Sequence, residues 1–172
     1  MNALAMTHDT AVQMIDTSIV RVHQHGACIT RNRRQSMGRS RRGLTSKIHA
    51  VVDTNGLPVQ LGLTPGEAHE NRPADKLLSR LKSGTMLLAD RGYDADWYRD
   101  ALQAKGITPC IPGRKSRKKT IKYDKRRYKR RNRIEIMFGR LKDWRRVATR
   151  YDRCPMAFLS AIALAATVIF WL

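Results

Sequence analysis

The sequence predicts an α/β fold in which a mixed β-sheet is flanked by α-helices. Three observations predict it. Short apolar, β-branched runs are bounded by turn residues; apolar residues between them recur at helical spacing; and strands alternate with helices after an opening meander. A chain of 172 residues is long enough for one domain with a real core and too short for two comfortable ones.

Val12–Val20 (VQMIDTSIV) reads as a buried strand interrupted by Asp16. Lys47–Val52 and Pro58–Leu63 flank Asp53-Thr54-Asn55-Gly56 and read as a hairpin with a short polar turn. Asn71–Leu81 opens on Asn-Arg-Pro and carries Leu77, Leu78 and Leu81, the pattern of a capped helix. Thr85–Ala89 is a short strand ending at Asp90, Ala95–Ala104 a helix stopped by Gly106, and Thr108–Ile111 a last short strand. From about Lys125 to Val147 the chain reads as one long helix. Ile134, Met137, Phe138, Leu141 and Trp144 form the apolar stripe that fixes it to the sheet.

The domain is expected over 1–155, with basic loops at about 31–42 and 114–133, followed by an apolar helix over 156–172. That last segment carries no charge, but a membrane span needs about 20 residues. It is expected to pack on the domain or on a partner, with no membrane involved.

Charge narrows the function. Lys and Arg number 34 against 14 Asp and Glu, a net +20, whereas solubility alone asks for about 2–8 in a small domain. A field of that sign attracts polyanions, and nucleic acid is the favoured partner. Cys28, Cys110 and Cys154 are far apart and lack CxxC or CxxH spacing, which argues against a disulfide framework and a zinc site. No signal peptide is visible, and reduced thiols suit a cytoplasm.

Three acids stand in chemically suggestive contexts. Asp16 breaks an apolar strand, where a carboxylate is costly unless paired or metal-bound; the bland alternative is a turn cap through Thr17 or Ser18. Asp90 ends a strand with Gly92 close behind it, the place where α/β sheets hold ligands; the bland alternative is a loop cap. Tyr128, Arg131, Glu135 and Lys142 fall within an arc of about 60° on one helix face. There the bland alternative is i,i+4 pairing of Glu135 with Arg131. Together, two aspartates and a glutamate can cage the two hard cations, about 3.5–4 Å apart, that phosphodiester transfer uses. Arg131 and Lys142 would then hold the phosphate backbone.

Tyr128 to Arg153 (YKRRNRIEIMFGRLKDWRRVATRYDR) resembles the Tyr–Arg–Glu–Lys signature of DDE-type bacterial insertion-sequence transposases, with the same spacing. Ala89–Arg99 (ADRGYDADWYR) resembles that family's second-Asp segment and Met14–Ala27 its first. Thr64–Ala74 (TPGEAHENRPA) resembles the linking segment of the insertion-sequence-five group. The resemblance implies a ribonuclease H-like fold, Mg²⁺-dependent cleavage at transposon ends, and attack of the freed 3′ hydroxyl on target DNA. It implies that Asp16, Asp90 and Glu135 bind two Mg²⁺ ions, for which Mn²⁺ is expected to substitute. Tyr128, Arg131 and Lys142 would position DNA, in a synaptic homo-oligomer. Family members normally carry an end-binding region ahead of the first Asp, whereas 15 residues precede Asp16 here. The product of an upstream overlapping frame is therefore an expected partner.

Further DNA-backbone contacts are expected from Arg33, Arg34, Arg41, Arg42, Lys118 and Lys119 in the two basic runs. His49 and His69 are candidates for groups behind the metal ligands, with a satisfied core histidine the favoured reading for His49. Trp97, Tyr98, Trp144 and Trp171 are expected in the core or an interface, and Tyr123 is the candidate for base stacking. Two rival functions stay open: a stand-alone nuclease of the same fold, and a truncated or inactive transposase acting only by occupying DNA.

Overall fold

The computed structural model describes residues 11–27, 35–41, 43–68, 79 and 81–172. Seven strands form one sheet: β1 (Val12–Val22), β2 (Gly38–Ser40), β3 (Gly43–Val52), β4 (Pro58–Pro65), β5 (Met86–Leu88), β6 (Thr108–Cys110) and β7 (Thr149–Arg150). The main path runs β2-β3-β1-β5-β6, with β4 also on β3 and β7 also on β1. β2, β3, β4 and β1 pair antiparallel, whereas β5, β6 and β7 join in parallel, so the sheet is mixed as expected. The helices are α1 (Asp96–Ala104), α2 (Lys125–Tyr128), α3 (Asn132–Lys142), α4 (Arg145–Ala148) and α5 (Pro155–Phe170).

Strand alternation sorts the apolar residues into two cores. Val12, Met14, Val20, Ile48, Ala50, Val52 and Leu88 face α3 and α5, which contribute Ile134, Met137, Phe138, Leu141, Phe158, Ile162, Ala165 and Ala166. Ile15, Val51, Leu87 and Ala89 face the other way, toward Tyr93 just ahead of α1 and Tyr98 and Leu102 within it. Each fully buried apolar side chain is worth roughly 1.5–3 kcal/mol. The four from α3 therefore set where that helix lies, since no single ion pair competes with their sum.

β1 is the strand that matters most for the site. On one side it pairs with β3 along Met14–Arg21. On the other side it meets β5 only at Val12–Met14 and β7 only at Arg21–Val22. Between them, Ile15–Val20 has no strand partner on that side among the described residues, and this open edge contains Asp16.

Several expectations need correction. The helix over 125–147 is not continuous: helical backbone runs to Lys142, Trp144 adopts an extended conformation, and α4 then leads into β7. The break turns the chain back so that Thr149 and Arg150 can pair beside β1, an interaction that helical periodicity does not report. Trp144 consequently leaves the apolar stripe and is 38% exposed; Trp97 is exposed as well. The expected loop over 31–42 contains β2, and β3 begins at Gly43, four residues earlier than expected. The basic run from Arg114 to Arg133 is a loop only in its first part, since α2 and a following 3₁₀ turn carry Lys125–Arg131. The helix expected over 71–81 lies outside the described residues, except for exposed Ser79 and buried Leu81. No helix among the described residues is long and apolar enough to cross a membrane.

Two buried polar hubs hold the connections. The Arg150 guanidinium donates to Ser46 Oγ at 2.8 Å and to the carbonyls of Ser36, Asp152 and Arg153, and it lies over the Phe158 ring. It ties β7 to β3 and to the start of α5. Asp94 accepts from Arg99 Nε at 2.8 Å, from Arg117 Nε at 2.7 Å and from the Arg114 backbone N–H at 2.7 Å. Burial would raise this carboxyl, but those donors prevail and hold it near 2. The start of the basic segment is thus pinned to the domain.

Asp94→Asn is expected to cost about 2–3 kcal/mol at neutral pH, because it weakens the donated ion pair that holds the carboxyl below its usual range. A folded-state value near 2 contributes stability above about pH 4 that is lost as pH falls toward 2. Urea denaturation of both proteins should show the gap closing over that window. A gap constant with pH would assign the loss to packing instead.

Candidate active site

The parallel register of β1 and β5 aligns Met14 with Leu88. Extending it by two residues sets Asp16 beside Asp90, both on the face that α3 covers. Asp90 raises the Asp16 carboxyl through like-charge repulsion, as expected for neighbours. The 3₁₀ turn that leads into α3 then brings Arg131, and α3 itself brings Glu135, over the open edge. Arg131 Nη1 donates to Asp16 Oδ2 at 2.6 Å, and Arg131 Nη2 donates to Glu135 Oε1 at 2.7 Å. Asp16 and Arg131 are separated by 115 residues in sequence. The guanidinium fork therefore joins the first and third acids, with the second alongside.

The bland alternative holds for Asp90, whereas Asp16 caps no turn and bonds its neighbour's N–H within β1. Asp16 Oδ1 accepts from the Thr17 N–H at 2.8 Å, and Asp90 Oδ1 accepts from the Gly92 N–H at 2.9 Å, capping a 3₁₀ turn. One carboxylate oxygen fixes each side chain, and the other remains for a partner. The i,i+4 pairing of Glu135 with Arg131 is likewise present, extended by the contact to Asp16.

Burial pushes the Asp16 carboxyl up to about 6, despite the opposing pull of Arg131 and the Thr17 N–H. Tyr128 leans on this cluster. Burial raises its phenol while neighbouring Arg131 draws it down. Lys142 Nζ donates to the Ile19 carbonyl at 3.0 Å on the open edge of β1, and burial lowers its ammonium. All four residues of the one-face arrangement thus lie along the same edge of β1.

The other candidates disperse. Arg33, Arg34, Arg42 and His69 lie outside the described residues, as does Cys28. Arg41 is exposed and lines a cavity of about 640 Å³ with Ile19, Arg21, Ser40 and Thr45. Lys118 and Lys119 are exposed on the segment after Arg117. His49 is fully buried and opposes Thr17, with Nε2 2.7 Å from Thr64 Oγ1; burial lowers its imidazole to about 4. Its Nδ1 has no partner among the described residues, so the satisfied-core reading holds on one side of the ring only. Tyr123 packs edge-on against Tyr128 at 5.3 Å. Asp94 was missed as a hub; the clustering of Arg114 and Arg117 with no local acid was the available signal.

The donor set suits a hard divalent cation: carboxylate oxygens at a partly desolvated edge. Among the described residues, no three carboxylate, imidazole or thiolate groups converge as a metal cluster. Arg131 instead holds the positive charge between Asp16 and Glu135, marking where a cation is electrostatically favoured.

A mixed sheet flanked by helices, with Asp16 on the central strand, Asp90 just past its parallel neighbour and Glu135 on a helix at their edge, is the layout of a ribonuclease H-like fold. Solved structures agree on the fold. The catalytic core domain of BIV integrase superposes with a TM-score of 0.52 at 18% identity, covering 93% of this chain and 83% of that one. A chain of the simian T-cell lymphotropic virus intasome does so with 0.54 at 14% identity, covering 96% and 50%. Residues 7–170 match the transposase DDE domain model. A Brucella ovis protein named as a transposase for insertion sequence element IS6501 is 38% identical over 130 residues, 75% of this chain and 99% of that protein. A Burkholderia cepacia protein named for element IS402 is 32% identical over 82 residues, 41% of this chain and 39% of that protein. The chain belongs to the transposase DDE domain family and is a transposase catalytic core.

Asp16→Asn is expected to stabilise the fold by about 1–3 kcal/mol at pH 8. A carboxyl raised to about 6 lends full stability below about pH 4 and loses it as pH rises through 6. Thermal melts across pH should therefore show the variant and parent coinciding near pH 4 and diverging to a plateau above pH 6. A destabilised variant at pH 8 would mean that the ion pair to Arg131 outweighs the desolvation of Asp16.

Proposed function

We propose that this chain cuts DNA at the ends of a mobile element and joins the freed 3′ hydroxyl to target DNA. Asp16, Asp90 and Glu135 are its catalytic acids and hold two Mg²⁺ ions, with Mn²⁺ able to substitute. The observation that carries the reading is the meeting of Asp16 and Glu135 on one guanidinium, beside Asp90, at the open edge of β1. Family membership makes strand cleavage and transfer the chemistry to expect. When bound, the ions would activate the attacking oxygen and stabilise the leaving one.

The chain's own residues do the rest. Asp16 and Asp90 are oriented by the backbone N–H groups of Thr17 and Gly92 before any substrate arrives. Arg131 offers a planar fork and Lys142 a point charge to the phosphates flanking the scissile bond. Tyr128 braces Arg131. Arg41, Lys118 and Lys119 give sequence-independent backbone contacts, which position DNA without reading it. DNA is the partner, and a second copy of the chain joins it in the synaptic complex. We place the chain in the insertion-sequence-five group and in the bacterial cytoplasm, at the nucleoid.

The test is Mg²⁺-dependent nicking of duplexes carrying the termini of the element that encodes the chain. Asp16→Ala, Asp90→Ala and Glu135→Ala should each reduce nicking by a factor of at least about 10³, a loss of roughly 4 kcal/mol of transition-state stabilisation, while DNA binding persists. Parent-like cleavage by any of the three sinks its assignment as a metal ligand. Lys142→Ala should weaken DNA binding and reduce the salt slope by about one. An unchanged slope would leave Lys142 with its Ile19 contact alone.

A further inference from the structure

The placement of Arg131 points to a task beyond holding DNA. Its fork engages two of the three candidate metal ligands at once, at 2.6 and 2.7 Å. A cation that would be coordinated by Asp16 and Glu135 must compete with these two charge-assisted bonds. Water does little to screen the contact to Asp16, because the side chains of Arg131 and Asp16 are only 17% and 16% exposed.

The same fork is free to leave without dismantling the fold. α3 is anchored by Ile134, Met137, Phe138 and Leu141, and Arg133 on its first turn donates to the Thr54 carbonyl of the β3–β4 turn. Gly56 in that turn has φ +88°, and its missing Cβ lets the Arg133 backbone and Cβ approach closely. The helix thus stays in place whichever partner Arg131 takes. Glu135, at 54% exposure, already faces solvent. The planar fork also matches a phosphate as well as it matches a carboxylate.

We infer that Arg131 is the resident cation of the DNA-free protein. It occupies Asp16 and Glu135 until a DNA phosphate draws it away, so the carboxylates accept divalent metal fully only once DNA is bound. DNA and metal therefore bind with positive coupling, and the coupling is reciprocal. The advantage is chemical: a metal-loaded site would not be assembled away from its substrate. This inference rests on the metal reading above and adds the order in which the site is filled.

Mn²⁺ binding tests it without relying on turnover. Free Mn²⁺ is followed by electron paramagnetic resonance for the parent and Arg131→Gln. Each is measured alone and with a duplex of about 20 base pairs, long enough to cover the basic face, with binding to DNA alone subtracted. Without DNA, Arg131→Gln should bind Mn²⁺ at least about tenfold more tightly than the parent, since two charge-assisted bonds no longer compete. DNA should tighten binding by the parent by a similar factor and leave the variant nearly unchanged. Lys129→Gln removes an exposed positive charge from the same segment and should change Mn²⁺ affinity by less than about twofold.

Equal Mn²⁺ affinities of DNA-free parent and Arg131→Gln would overturn the inference while leaving the metal reading intact. So would an effect of Lys129→Gln as large as that of Arg131→Gln, which would reduce the result to bulk charge. Failure of every protein to bind Mn²⁺, even with DNA, would instead overturn the metal reading itself. Circular dichroism melts establish that the variant is folded. If Arg131→Gln unfolds, Arg131→Lys carries the comparison, because a flexible ammonium lacks the preorganised planar fork and should give an intermediate affinity.

Discussion

The site depends on a carboxylate placed where carboxylates are expensive. Asp16 interrupts an apolar run in the central strand, and its surroundings push its carboxyl up to about 6 even with a guanidinium 2.6 Å away. A fold that served stability alone would put an apolar or hydroxyl side chain there. The protein instead supplies positive charge from a helix more than a hundred residues downstream. That requirement is met where the 3₁₀ turn entering α3 carries Arg131 over the edge of β1.

The energetic division of labour is clear from magnitudes. Four buried side chains on α3 contribute on the order of 6–12 kcal/mol to its docking, against roughly 1.5–3 kcal/mol for a charge-assisted hydrogen bond. Packing decides where the helix lies, and the ion pairs decide only what its polar face touches. That separation allows Arg131 to change partners while the helix does not move. The open edge of β1 has a similar logic. β5 and β7 each take a few residues of the strand and leave the middle, with the Ile19 carbonyl bound by Lys142, accessible from the side.

Basic charge, so abundant in the sequence, divides into two kinds in the structure. Arg99, Arg117 and Arg150 are held by Asp94, Asp96, Ser46 and backbone carbonyls, and exposed Arg114 is tied to the carbonyls of Arg91 and Gly92. Arg41, Lys118, Lys119 and most of the α2 surface stay outward and supply the field that a polyanion meets. Counting Lys and Arg identifies the partner class; it does not say which of them are available to it.

Much of the design was legible in the residues. The strand positions of Asp16 and Asp90, the hairpin around Gly56 and the one-face spacing of Tyr128, Arg131, Glu135 and Lys142 all follow from local periodicity and turn chemistry, which neighbouring residues determine. Local patterns could not show the break at Trp144, the strand at Thr149–Arg150, or the Asp94 and Arg150 hubs, because each exists to satisfy a partner distant in sequence. The sequence by itself therefore determined which acids and bases share an element and a face. Only the tertiary structure decided that Arg131 reaches past its i,i+4 neighbour to Asp16, because that contact depends on two apolar surfaces fixing how a strand and a helix cross.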